Sequence, residues 1–165
     1  MDQDLNTLSA EIGRRLVARG WKLATAESCT GGWVAEVVTA TAGSSGWFDC
    51  GFVTYSNESK QTLLGVASAT LERFGAVSEP TVREMVAGAL ERSRADVALA
   101  VSGVAGPGGG SADKPVGLVC FGWGRRGADV RSTTVQFAGD REAVRRQAVL
   151  HVLNDLIALE GSFPG

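Results

Sequence analysis

Residues Val97-Ala98-Leu99-Ala100-Val101 are apolar without a break. A strand with no polar face must be covered on both sides, which predicts a central strand between two helical layers. The remaining sequence supplies those layers. Leu5, Leu8, Ile12 and Leu16 recur at helical spacing, so residues 3–19 should form an amphipathic helix ending near Gly20. Trp21 to Ala26 reads as a short strand and Trp33 to Val38 as the helix after it. A break at Ala42-Gly43-Ser44-Ser45-Gly46 precedes a second strand, Trp47 to Tyr55. Ser56 and Asn57 are cap-type residues opening a short helix that carries Lys60, Leu63 and Leu64 and stops at Gly65. Ser78-Glu79-Pro80 is a helix start, and Val82, Met85, Val86, Ala89 and Leu90 follow on one face. Val116 to Trp123 and Val130 to Phe137, joined by Gly124-Arg125-Arg126-Gly127, predict an antiparallel hairpin, and Val149, Val152, Leu153, Leu156 and Ile157 mark a long C-terminal helix. The expected fold is α/β: a single three-layer α/β/α domain over residues 1–160 with a mixed parallel/antiparallel sheet, followed by a loose tail over 161–165. A chain of 165 residues with 44% hydrophobic content supports one core of this kind.

Charge and cysteine usage narrow the partners. A net charge of −2 leaves no basic footprint for nucleic acid, and Arg125-Arg126 and Arg145-Arg146 are too short to make one. The acidic N-terminus does not resemble a signal peptide, and no apolar run approaches membrane-spanning length, so a cytoplasmic protein with no membrane partner is expected. Cys29, Cys50 and Cys120 form no CxxC pair and are expected to be reduced thiols. Trp33, Trp47 and Phe48 could form an exposed apolar patch for self-association, and a homo-oligomer is expected.

Ala26-Glu27-Ser28-Cys29-Thr30-Gly31-Gly32 places Ser28 between a predicted strand and a predicted helix. Residues 28–30 would then occupy a helix N-terminus, where free N–H groups can hold an oxyanion or a phosphate; alternatively Ser28 or Thr30 is a simple N-cap. The only histidine, His151, falls within the C-terminal helix and is poorly placed as a base for a nucleophile. Neither HExxH, cysteines at ligand spacing nor an acidic cluster points to a metal, and no cofactor is expected. If Ser28 is a nucleophile, lysine is the obvious base, and Tyr55 and Lys60 are the candidates that remain. A lysine base must be neutral, so its pKa must fall from about 10.4 by several units. Tyr55 could relay the proton or orient the lysine. Alternatively, Lys60 is a solvated surface lysine and Tyr55 a half-buried strand aromatic. Cys29 is a rival nucleophile if a helix N-terminus stabilises its thiolate, though a small buried thiol is the expected role.

The apolar run at Val97 empties into Ser102-Gly103-Val104-Ala105-Gly106-Pro107-Gly108-Gly109-Gly110-Ser111. This segment reads either as a backbone nest around a phosphate or as a long surface turn. Arg141 and Arg145, four apart, share a helix face and could pair with a phosphate, or be solvated and neutralised by Asp140 or Glu142.

Taken in order, Thr25 to Gly32, Gly51 to Lys60, Gly75 to Glu79, Ser102 to Pro107, Lys114-Pro115-Val116-Gly117, and Gly139-Asp140-Arg141 with Val144-Arg145 resemble the signature stretches of the CinA C-terminal domain family, over about Leu5 to Leu159. The resemblance implies hydrolysis of the carboxamide of nicotinamide mononucleotide to nicotinate mononucleotide and ammonia, feeding pyridine nucleotide recycling. It also implies a catalytic serine, tyrosine and lysine at Ser28, Tyr55 and Lys60, with no metal. Amides near Thr30, Gly31 and Gly32 are expected to stabilise the oxyanion. The 5′-phosphate is assigned to the loop from Gly106 to Ser111, including Gly109 and Gly110, with Arg141 or Arg145; Ser102 completes the expected substrate site. Larger members carry a further N-terminal domain that this sequence lacks, so the chain is expected to act alone. A non-catalytic nucleotide-binding module and a Ser-Lys hydrolase of another amide are the alternatives.

Overall fold

Helix α1 (Gln3–Arg19) opens on Asp2, whose carboxylate accepts the N–H groups of Asp4 and Leu5, and closes on Gly20 at φ 69°. The computed structural model that shows this describes residues 2–165. Strand β1 (Leu23–Glu27) leads to α2 (Trp33–Thr39), a 3-10 turn (Ser44–Gly46) and β2 (Phe48–Val53). Three helices follow: α3 (Asn57–Leu64), α4 (Ser68–Phe74) and α5 (Glu79–Glu91). The chain ends with β3 (Val97–Gly103), β4 (Leu118–Arg125), β5 (Arg131–Gln136) and α6 (Arg141–Glu160).

The strands form one sheet in the order β2-β1-β3-β4-β5, parallel across β2, β1 and β3 and antiparallel across β3, β4 and β5. The mixed α/β sheet expected from the sequence is therefore present. Alternation along the strands sorts two unlike faces. Leu23, Val97, Leu99, Val101, Val119, Phe121 and Trp123 point into a large-residue core with α1, α2 and α6. Ala24, Ala26, Ala98, Ala100 and Cys120 point to the other side, against α5. Small side chains let that helix come close: a Cβ on Gly122 would lie 3.1 Å from the Val82 carbonyl oxygen. Helices α3 and α4 pack on α5 rather than on the sheet.

The tightest contact on this side is Gly88 of α5, where a Cβ would lie 1.9 Å from the Leu64 carbonyl oxygen at the end of α3. On helix propensity alone, Gly→Ala would stabilise by about 1 kcal/mol. The clash reverses the sign, so Gly88→Ala should destabilise by about 3 kcal/mol and lower Tm by roughly 10 °C. A thermal melt in which Tm rises would contradict the α3–α5 packing.

Two expectations need correction. Trp47 is only 2% exposed, because its indole fills the space over Gly13, where a Cβ would lie 2.7 Å from the ring; it belongs to the core and not to a surface patch. The segment 161–165 is anchored, since Phe163 is 5% exposed within the core and Arg131 Nη1 donates to Ser162 Oγ at 2.7 Å. Burying an aromatic ring outweighs the fraying expected of a terminus.

Candidate active site

After β1 the chain leaves toward β2, and after β3 it leaves toward β4, so the carboxyl ends of these neighbouring parallel strands frame a crevice of the kind where α/β sheets bind ligands. Ser28 sits at its floor. Its N–H donates to Val101 O at 2.9 Å, and Thr54 N donates to Glu27 O at 2.8 Å, so β3 and β2 hold the residue from both sides. Glu27 is fully buried, and its two carboxylate oxygens accept Val34 N at 2.8 Å and Ala35 N at 3.0 Å. This carboxylate takes the first-turn amides of α2. The helix itself starts at Trp33 with Gly32 as its N-cap, and neither Ser28 nor Thr30 caps it. Residues 28–30 thus form a turn ahead of the helix, contrary to the expected N-terminal placement. Gly31 N is also used, donating to Ser28 O at 3.0 Å, whereas the N–H groups of Cys29 and Thr30 have no acceptor among the described residues.

Lys60 reaches this floor from α3. Ser56 starts that helix by accepting Ser59 N, which turns Lys60 and Leu64 to its buried face. Lys60 is fully buried; its Nζ donates to Ser28 Oγ at 2.9 Å, to Thr54 O at 2.7 Å and to Tyr55 O at 3.4 Å. Burial lowers its pKa from 10.5 to about 8, so a substantial neutral fraction exists at mildly alkaline pH. The surface-lysine alternative does not hold. Tyr55 is 61% exposed, and its hydroxyl accepts from Arg141 Nη2 at 3.1 Å; it bonds neither Lys60 nor Ser28 through its side chain. Lysine meets serine directly, so no relay through the phenol is needed. Burial raises the Cys29 thiol to about 11, which disfavours the thiolate expected of a rival nucleophile. His151 packs on Phe121 with ring centroids 4.5 Å apart, outside the crevice.

The crevice is a cleft of about 280 Å³ in which Ser28, Tyr55 and Lys60 face Ser102, Gly106, Gly109 and Arg141. Gly110 and Ser111 do not line it: the loop folds back there, with Ser111 N donating to Lys114 O at 2.9 Å. Thr30, Gly31, Gly32 and Arg145 instead line an adjoining open hollow of about 650 Å³, with Arg141 as the shared wall. Arg141 Nη1 donates to Gly106 O at 2.8 Å. Arg145 gives its Nε to Cys29 O at 3.0 Å and its Nη2 to Thr30 O at 3.1 Å, and its guanidinium stacks on Trp33. Asp140 neutralises neither arginine by hydrogen bonding; it caps α6 by accepting Ala143 N. Sequence reasoning missed Glu27, although a carboxylate ending an apolar strand before a glycine pair was a usable signal. It also missed Thr54, which acts through its backbone carbonyl and leaves no such signal. Among the described residues no group of three His, Cys, Asp or Glu side chains is placed to hold a metal ion, and no helix is long and apolar enough to cross a membrane.

Fold and site together define an α/β protein with a buried Ser–Lys pair at the carboxyl edge of its parallel strands. The CinA C-terminal domain matches residues 5–159, and the chain belongs to that family. It is 56% identical over 152 residues to the nicotinamide-nucleotide amidohydrolase PncC of Enterobacter agglomerans, covering 92% of this chain and 93% of that one. Identity to the protein of the same name from Escherichia coli is 54%, covering 94% of each. The crystal structure of competence/damage inducible protein CihA from Agrobacterium tumefaciens superposes with a TM-score of 0.94 at 45% identity, covering 97% of this chain and 98% of that one.

Proposed function

We propose that this protein is a nicotinamide-nucleotide amidohydrolase that converts nicotinamide mononucleotide and water to nicotinate mononucleotide and ammonia, with Ser28 as nucleophile and Lys60 as base. The observation that carries the reading is the 2.9 Å bond between buried Lys60 Nζ and Ser28 Oγ, in a chain 54–56% identical to relatives of that name. In the first step neutral Lys60 takes the Ser28 proton as Oγ attacks the amide carbon. The N–H groups of Cys29 and Thr30, which have no backbone acceptor among the described residues, would donate to the developing oxyanion. Collapse of the tetrahedral intermediate breaks the C–N bond; Lys60 returns the proton to the departing nitrogen, which leaves as ammonia. Water then attacks the acyl-enzyme as Lys60 accepts its proton; the acyl C–Oγ bond breaks, and Lys60 returns the proton to Ser28 Oγ, restoring the hydroxyl and the neutral amine.

For the 5′-phosphate, Arg141 is favoured over Arg145, because Arg141 lines the cleft that holds Ser28 and Lys60, whereas Arg145 lines the adjoining hollow. Arg141 borders the cleft beside Gly106 and Gly109, and among the described residues its side chain bonds Gly106 O and the Tyr55 hydroxyl. Tyr55, exposed at the rim with its hydroxyl bonded to Arg141, would then lie beside the bound nucleotide. Deamidation at the nucleotide level returns a pyridine nucleotide to recycling.

A lysine base fixes the pH dependence. Protonated Lys60 cannot accept the serine proton, so kcat/KM for ammonia release should rise tenfold per pH unit below about 8 and level off above it. A profile flat from pH 6 to 9, measured over a range where the protein stays folded, would remove Lys60 as the base.

A further inference from the structure

Two sequence stretches take no part in the steps above, Gly75 to Glu79 and Lys114 to Gly117, and the fold joins them. Lys114 Nζ donates to the carbonyl oxygens of Phe74, at 2.5 Å, and Val77. Phe74 is the last residue of α4, so the ammonium sits where a helix presents unpaired carbonyls and the negative end of its dipole. Its own segment is tied to the glycine-rich loop, since Lys114 N donates to Ser111 Oγ at 3.1 Å and Lys114 O accepts Ser111 N at 2.9 Å. No carboxylate lies within ion-pair distance of Lys114 among the described residues. Its charge is therefore spent on the two carbonyls.

Ala76 and Val77 line the reactive cleft, and so do Gly106, Gly108 and Gly109 of the loop to which the Lys114 segment is tied. The 75–78 segment is held from its far end as well, because Gly75 O accepts Ser78 Oγ at 2.8 Å and Thr81 Oγ1 at 2.7 Å. Among the described residues, Lys114 supplies the hydrogen bonds that join it to the glycine-rich loop. Without that ammonium, a loop with glycine at 106, 108, 109 and 110 has little to hold it at a fixed distance from Val77.

We infer that Lys114 is a positioning residue: it straps the Ala76–Val77 wall to the glycine-rich loop and so sets the width of the slot that receives the planar pyridine carboxamide. This rests on the amidohydrolase reading for its substrate, but the strap itself is a statement about two loops. The slot binds the ring alike in ground and transition states, so loss of the strap falls on binding and leaves the Ser28–Lys60 pair intact.

The test combines hydrogen exchange with steady-state kinetics on Lys114→Met and Lys114→Arg. For Lys114→Met, amide exchange over residues 74–78 and 105–111 should accelerate, and KM for nicotinamide mononucleotide should rise about 10-fold with kcat within about threefold of wild type. Lys114→Arg, which keeps two donors, should recover most of both. Unchanged exchange in these segments overturns the strap. So does a fall in kcat at constant KM, which would put Lys114 in the chemical step. If wild type releases no ammonia from this nucleotide, the amidohydrolase reading fails by itself, and exchange alone decides whether the strap exists. Should Lys114→Met fail to fold, Lys114→Gln is measured in its place and judged by the same criteria.

Discussion

Replacing Lys60 with methionine should abolish turnover and leave the protein more stable at neutral pH. Loss of a general base positioned at 2.9 Å from the nucleophile lowers kcat by about 10³-fold or more. The stability effect has the opposite sign, because the ammonium is fully buried without a carboxylate partner. Depression of the pKa from 10.5 to about 8 corresponds to a penalty of about 3 kcal/mol for carrying the proton in the folded state. Methionine removes that penalty and fills a similar volume, while Thr54 O loses a donor at a cost of about 1–3 kcal/mol. The pH dependence separates the two contributions. Between pH 8 and 10.5 the unfolded wild type binds more protons than the folded form, so wild-type stability rises with pH across that window. The advantage of Lys60→Met should thus be greatest below pH 8 and shrink toward pH 10.5. Denaturant unfolding at several pH values measures it; an advantage that grows with pH would contradict a neutralisable buried lysine.

Ser28→Ala should lower turnover by about 10⁴-fold or more, since no other nucleophile shares the floor of the cleft in reactive form. Cys29 is adjacent in sequence, but its thiol is buried and its pKa is raised to about 11. Stability at neutral pH should fall by about 1–3 kcal/mol, because the buried Lys60 ammonium loses an acceptor, while the Ser28 backbone bond to Val101 O is retained. At neutral pH Lys60 also loses a bonding partner, so its pKa should fall further, which a pH titration of stability detects as a wider window than in wild type. A variant that keeps activity while remaining folded would exclude Ser28 as nucleophile.

Much of this protein is legible in its sequence wherever the information is local and periodic. Helices α1, α5 and α6 follow from apolar spacing and from caps at Ser78 and Gly20, and the all-apolar β3 follows from its double coverage. Ser28 and Lys60 emerge by eliminating other chemistries, yet 32 positions separate them, and only the adjacency of β1 and β2 brings α3 over the serine. Helix α4 leaves little trace, since its seven residues bury Leu71 alone. The partnerships that define the cleft rim are long-range and cannot be read from spacing: Tyr55 with Arg141 spans 86 positions, and Lys114 with Val77 spans 37. Glutamate at position 27 was visible but its destination was not, because satisfying two amides of α2 requires the turn at Gly31 and Gly32, both at positive φ.

Whether this chain is a serine-based amidohydrolase of a nicotinamide nucleotide is decided by ammonia release from nicotinamide mononucleotide, measured with wild type and Ser28→Ala side by side, each verified as folded by its thermal melt. Wild type should yield ammonia and nicotinate mononucleotide in equal amounts, and the variant none above background. A folded wild type that releases no ammonia rules out the amidohydrolase, and a folded variant that matches wild type rules out Ser28 as its nucleophile.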